Sequence, residues 1–327
     1  MKPFAEIASI ALACAGLTSL PASTQAQTTW PDKPVRVVVP APPGSSLDII
    51  VRTLGEKLRD RWKQPLVVDN KPGAGGMLGM DVVAKAPADG YTLGIGFNGP
   101  IAFGPFMYKK MPYAPGKDLI PVVLTTSQPN VLAVQASNPA NTLPEFVAWA
   151  RRQGDKLSYG SVGNGSSSHL TMELLKSVAG FDAVHIPYAG SPPAGTSLAA
   201  GETQALLTVE PALLPLIQGG RIKLIASTGA QRQEGLRSLP TVAESGYPGF
   251  ESLAWNGLFS PAGTPTDVVN RINADVNAVL KDPALRDALA RQGLMVGGGS
   301  AAEFKAFIES EAAKWSAIIK RAGISLD

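Results

Sequence analysis

From residue 30 onward the apolar positions of the chain alternate between two rhythms: short continuous β-branched runs, and longer stretches with apolar residues three and four apart. The first rhythm marks buried strands and the second marks helices with one buried face. Strands are predicted at 35–39, 66–68 and 91–96, with helices at 47–62 and 77–85 between them. After Pro129 the alternation restarts, with strands at 131–134, 157–159, 185–188, 205–208 and 222–226 and helices at 143–152, 167–178, 196–200 and 212–218. Strands that alternate with helices specify α/β lobes with mainly parallel sheets, because parallel neighbours need a crossover connection.

The C-terminal stretch is helical and well punctuated. Thr264, Pro265 and Asp267 supply a cap, a first-turn proline and an acid at the positive helix end. Asp282-Pro283 opens another helix that Gly293 ends. Ser300 with Glu303 forms a capping box, and Phe304, Phe307, Ile308, Trp315, Ile318 and Ile319 mark the buried face of a last helix that Gly323 stops. Large apolar residues at this spacing are core, not a cofactor-binding box.

Before residue 27 the pattern is that of an export signal: Lys2, an apolar run over 7–20, then small and polar residues over 21–26. The run is shorter than the roughly 18 residues that a membrane span needs. Cleavage after Ala26 is expected, which leaves a soluble periplasmic protein. Cys14, the single cysteine, falls inside this signal, so the mature chain has no disulfide, thiol chemistry or cysteine-bound metal. The alternative role for Cys14 is lipid attachment.

The length of 327 residues exceeds one ordinary domain, and 45% hydrophobic residues can fill two cores. The expected division is 1–26 signal, 27–127 with 251–327 as the first lobe, and 128–250 as the second. Charged residues make up only 17% of the chain and the net charge is +3, too mild and dispersed for nucleic-acid binding.

Catalytic constellations are scarce. The two histidines, His169 and His185, do not form a metal motif, and no G-x-S-x-G or Walker sequence occurs. A triad built on His169 with Ser161 or Ser166 is the one hydrolase arrangement left open. Gly94, Gly96 and Gly99 fit a dinucleotide pattern, but Pro100 and Pro105 oppose the long helix it requires, so a glycine-eased strand end is expected. Two other loops point to anion binding. Residues 40–46 leave the first strand and enter a helix containing Asp48, and residues 160–168 do the same ahead of the helix carrying His169. Each places free N–H groups and hydroxyls at a positive helix end.

With these loops in view, the chain resembles the substrate-binding proteins of tripartite tricarboxylate transporters, often called Bug receptors. The resemblance rests on Pro42-Pro43-Gly44 with Asp48, Asn70-Lys71-Pro72-Gly73, Ala88-Asp89-Gly90-Tyr91, Tyr159-Gly160-Ser161 with Gly165-Ser166 and His169, and His185-Ile186-Pro187-Tyr188 with Gly190. Leu239-Pro240-Thr241-Val242 and Pro261-Ala262-Gly263-Thr264-Pro265 extend it through the C-terminal half.

The resemblance implies a two-lobed periplasmic binding protein of type II-like form, with crossing strands between the lobes and the C-terminal helices returning to the first. It implies a small carboxylate held between Pro43, Gly44, Ser45, Ser46 and Asp48 on one side and Ser161, Gly165, Ser166 and Ser167 on the other, partly through water. Ser45 departs from the family, which usually has a second glycine there. Glu210 is expected either to touch the ligand or to cap the next helix, and His169 to brace its loop. Tyr188, Gly190, Ser191 and Pro192, with Asn98, are expected to set selectivity at the far end. The implied partner is a membrane permease, with a membrane sensor as the alternative; no cofactor, metal or nucleic acid is implied, and the protein is expected to be a monomer and not an enzyme.

Overall fold

A computed structural model of the protein describes residues 30–326, so the signal sequence and Cys14 lie outside the described residues. The valines of β1 (Val35–Val39) are almost wholly buried, as a central strand requires. Next come α1 (Ser46–Trp62), β2 (Leu66–Asn70), α2 (Met77–Ala84) and β3 (Thr92–Phe97). On α1, Leu47, Ile50, Val51, Leu54, Leu58 and Trp62 form the buried stripe that its sequence spacing anticipates. A wide turn and two one-turn helices, α3 (Gly104–Met107) and α4 (Pro115–Asp118), lead into β4 (Leu119–Pro129).

The second α/β unit follows as β5 (Val131–Gln135), α5 (Leu143–Gln153), β6 (Ser158–Ser161), α6 (Ser167–Ala179), β7 (Val184–Pro187), α7 (Ser191–Ala200), β8 (Ala205–Thr208), α8 (Leu214–Gln218) and β9 (Ile222–Ser227). The chain returns through β10 (Leu253–Pro261), then α9 (Thr266–Leu280), α10 (Pro283–Ala290), β11 (Met295–Gly298) and α11 (Ala301–Ala322).

Two sheets result, with strand orders β11-β4-β10-β3-β1-β2 and β7-β6-β8-β5-β9. Both are mixed rather than mainly parallel. β1 runs parallel to β2 and β3, and β6 parallel to β7 and β8. β10 is antiparallel to β3 and β4, β11 to β4, and β5 to β8 and β9. The reason lies in the crossing: β4 carries the chain out of the first sheet and β10 carries it back, so as neighbours they must run in opposite directions.

At the crossing the backbone is laced by buried hydroxyls. Asn130 N donates to Thr228 Oγ1 at 2.9 Å, Thr228 Oγ1 donates to Ser252 O at 2.5 Å, and Ser252 and Thr171 share a hydroxyl bond of 2.5 Å. Leu170 of α6 packs into the cluster that contains Trp255 and Trp315, so the second unit rests on the C-terminal helix of the first.

The Ser300–Glu303 capping box forms in both directions, at 3.2 and 2.7 Å. The cap expected at Thr264 does not: its hydroxyl donates back to Pro261 O at 2.8 Å, and α9 begins after Pro265 without a side-chain cap. Among the described residues no helix is long and apolar enough to cross a membrane.

Candidate ligand-binding site

The turns β1–α1 and β6–α6 are built alike, residue by residue. In the first, Ser45 Oγ accepts the N–H of Asp48 at 3.3 Å while Asp48 Oδ2 accepts the N–H of Gly44 at 2.9 Å. In the second, Ser166 Oγ accepts the N–H of His169 at 3.2 Å while His169 Nδ1 accepts the N–H of Gly165 at 3.2 Å. Gly44 and Gly165 both have left-handed backbones, with φ of +78° and +69°. Gly44-Ser45-Ser46-Leu47-Asp48 and Gly165-Ser166-Ser167-Ser168-His169 are thus the same device in two places. In each, the cap serine and the acceptor three residues later are consumed in fixing the turn. Ser46 and Ser167, the first residues of α1 and α6, keep hydroxyls that make no hydrogen bond among the described residues. Their neighbouring N–H groups carry the partial positive charge of a helix start.

The two acceptors differ in charge. Asp48 is buried and receives Arg52 at 2.9 and 3.0 Å, Gly44 N, and Asn70 Nδ2 at 3.1 Å. The Arg52 hydrogen bonds above all hold its pKa down at about 2. Its carboxylate is therefore a fixed internal anion that shapes the loop rather than a group open to a ligand, which corrects the expectation of direct contact. His169 is buried and lies flat on His185, with ring centroids 3.8 Å apart and planes within 6°. Burial pushes His169 down to about 3, with repulsion from His185 adding to it, and burial pushes His185 down to about 4. Both rings are uncharged at neutral pH. Because His169 Nδ1 accepts a hydrogen bond, its proton resides on Nε2.

Ser161 is fully buried, and its Oγ lies 2.6 Å from His185 Nε2 and 3.2 Å from both the N and O of Gly163. The serine–histidine pair therefore involves His185 and not His169. Tyr159 lies beside the histidine pair, its ring centroid 5.0 Å from that of His185 and 6.4 Å from that of His169, and donates to Glu173, which Lys176 pairs at 2.8 Å. Ser161 thus ends a buried brace beneath the second loop.

The remaining expected residues divide. Pro43 and Gly44 are exposed at the tip of the first loop. Gly190 precedes α7, which Ser191 and Pro192 begin, and Ser191 Oγ bonds Thr208 Oγ1 at 3.0 Å. Tyr188 N donates to Ser161 O at 3.0 Å, whereas its hydroxyl is engaged with Ser197 at 2.5 Å. Asn98 turns inward: it is 2% exposed and its amide bonds Leu253 O and Trp255 N, each at 3.0 Å. It anchors β10 rather than facing the cleft, a correction that follows from its two free polar ends sitting beside an incoming strand. Glu210 does not cap α8; it lines a cavity with Arg286 and Arg291.

Asn70, His185 and Thr208 are supports whose roles are set by distant partners: nothing in the local sequence ties Asn70 to Asp48, His185 to Ser161 or Thr208 to Ser191. Gly94 and Gly96 are packing glycines: added Cβ atoms would come within 2.5 Å of Val83 and 2.6 Å of Phe259. Gly99 faces Gly165 across the units, with an added Cβ 3.4 Å from the Gly165 carbonyl.

The comparisons with known proteins agree on one family. The profile described as tripartite tricarboxylate transporter family receptor matches residues 50–324. The chain is 32% identical to protein BugT of Bordetella pertussis (strain Tohama I) over 327 residues, covering 100% of this chain and 99% of that protein. Among solved structures it is similar to an R. palustris protein with adipate, at 36% identity and a TM-score of 0.84, over 90% of this chain and 99% of that one. It is also similar to MatC from Rhodopseudomonas palustris with bound malate, at 30% identity and a TM-score of 0.79, over 89% of this chain and 100% of that one. On the strength of a match that runs nearly from end to end, the chain belongs to the tripartite tricarboxylate transporter receptor family.

Proposed function

We propose that the paired loops at 43–46 and 161–167 receive the carboxylate groups of a small dicarboxylate, and that the lobes 27–127 with 251–327 and 128–250 close over it. The chain belongs to the tripartite tricarboxylate transporter receptor family, and its neighbours with adipate and malate support a carboxylate as its ligand. One observation carries the finer reading: the two turns share one hydrogen-bonded design and each leaves a first-turn serine uncommitted. A helix start carries about half a positive charge, and a hydrogen bond to an ionised acceptor contributes about 1.5–3 kcal/mol. Two such loops account for micromolar affinity, about 8 kcal/mol, with no buried arginine.

The receptor binds and releases its ligand unchanged. Ser161 is wholly enclosed and its hydroxyl is already engaged with His185 and Gly163, which suits a brace and not a nucleophile. Export through cleavage after Ala26, action as a monomer in the periplasm, and delivery of the closed form to a membrane permease complete the proposal.

A thermal-shift screen of the mature protein against adipate, malate and other carboxylates, followed by calorimetry and product analysis, tests it. A saturable ligand recovered intact and weakened by Ser46→Ala and Ser167→Ala is the expected result. Chemical conversion of the ligand, or binding indifferent to both substitutions, would overturn it.

A further inference from the structure

A cavity of about 610 Å³ lies between the two units, and it shares no residue with the paired loops. In the first sheet β1 and β11 stand on opposite sides of the β4–β10 pair, and in the second β6 and β9 stand on opposite sides of β8 and β5. The paired loops follow β1 and β6. The cavity is lined instead by Gln233, beyond β9, by Glu210, beyond β8, and by Arg286 and Arg291 of the α10 segment that leads to β11. With Pro129 at the end of β4 and Met295 and Val296 of β11 also in its wall, it lies on the β11 side of the β4–β10 pair.

Its polar groups are unmatched. Gln233 Nε2 is shielded from water and has no hydrogen-bond partner among the described residues. Glu210 is partly buried, burial raises its pKa, and it makes no side-chain hydrogen bond or ion pair among the described residues; Arg286, Asp287 and Arg291 are exposed at the rim and carry charge of both signs. Enclosed donors and acceptors are normally satisfied, and an unpaired carboxyl in a partly dry site is costly. Leu214 and Leu294 add apolar wall to the same space. Its size falls within the range of about 300–1,000 Å³ typical of small-molecule sites.

We propose that this cavity is a second binding site, for a zwitterionic solute of the α-amino-acid type with an apolar side chain. Glu210 takes the ammonium group, Gln233 and the two arginines take the carboxylate, and the leucines meet the side chain. No net charge is required of the ligand, because the site presents separated opposite charges. Residues of both units line the site, so a ligand there is thermodynamically linked to any movement between them, and with it to the first site.

The test is calorimetry and thermal shift on the mature full-length protein with L-leucine, L-isoleucine, L-methionine and L-phenylalanine as probes. The expected result is saturable binding of at least one probe, weakened at least tenfold by Glu210→Gln and by Gln233→Leu, and retained in Ser167→Ala. No binding by any of the four, retention in both cavity variants, or loss in Ser167→Ala overturns the proposal. Unliganded melting curves show whether either cavity variant is folded, and each serves as a control for the other. The carboxylate screen is read separately, so failure of the first site and failure of this one are distinct outcomes.

Discussion

Gly165 donates its N–H to Nδ1 of His169 at 3.2 Å, which fixes both the direction of the second loop and the tautomer of the ring. The bond exists only while that nitrogen is unprotonated. Replacing His169 with leucine leaves a buried N–H without a partner, a loss of about 1–3 kcal/mol. His169→Leu should therefore weaken carboxylate binding about tenfold or more in calorimetry, and His169→Gln, whose amide oxygen can accept the same bond, should recover part of it. Equal affinities for the two variants would show that the ring acts only by filling space.

The histidine stack also makes stability depend on pH in a definite direction. In the unfolded chain each imidazole takes a proton near 6.5, whereas in the fold His169 holds out to about 3 and His185 to about 4. Between those values the unfolded state binds more protons, so acidification favours unfolding. The contribution is complete above pH 6.5 and is lost progressively as the pH falls toward 4 and then 3. Melting temperatures from pH 7.5 to 4.5 should fall more steeply for the wild type than for His185→Phe, which preserves a flat ring on His169 and cannot titrate.

Asp48 works the same linkage at lower pH. Its pKa, held at about 2 chiefly by Arg52, lies below that of an unfolded aspartate, so its stabilisation is present above about pH 3.9 and disappears as the pH falls toward 2. Asp48→Asn removes the charge that Arg52 and Gly44 share, and should lower stability by about 1–3 kcal/mol at neutral pH. It should also loosen the first loop, so its effect on ligand affinity should exceed that of Arg52→Gln. Denaturant unfolding and calorimetry on the two variants check both statements.

The regular α/β portions were legible because their information is local. The valine run at Val35–Val39, the stripe on α1 and the capping box at Ser300 are each complete within a few residues. The same holds for the turns that open α1 and α6, whose glycine, serine and helix start are contiguous. What escaped was set by distant partners. β4 and β10 read poorly because Pro121, Pro129 and Gly257 interrupt them, and they persist as strands because each pairs with the other along almost its whole length. Asn98 looked available in a cleft because its partners, Leu253 and Trp255, lie more than 150 residues away in sequence. Glu210 was drawn toward the loops by family analogy, whereas the cavity that it lines is shared with Arg286, Arg291 and Leu294 of the α10–β11 segment, some 80 residues further along the chain.

Gly257 makes the argument about distant partners testable. It sits in β10 directly under the last helix, where an added Cβ would fall 2.1 Å from Phe304 Cζ and 2.8 Å from the backbone oxygen of Val123. The phenyl ring fills the space that a side chain would take, and overpacking of this kind costs about 1–3 kcal/mol. Gly257→Ala should therefore lower the denaturant midpoint with little change in slope. Phe304→Leu, destabilising by itself, should offset part of that loss in the double variant, because it withdraws the clashing ring atoms. The carbonyl of Val123 stays in place, so the rescue should remain incomplete; a strictly additive double variant would mean that the contact with Phe304 does not set the glycine requirement in β10.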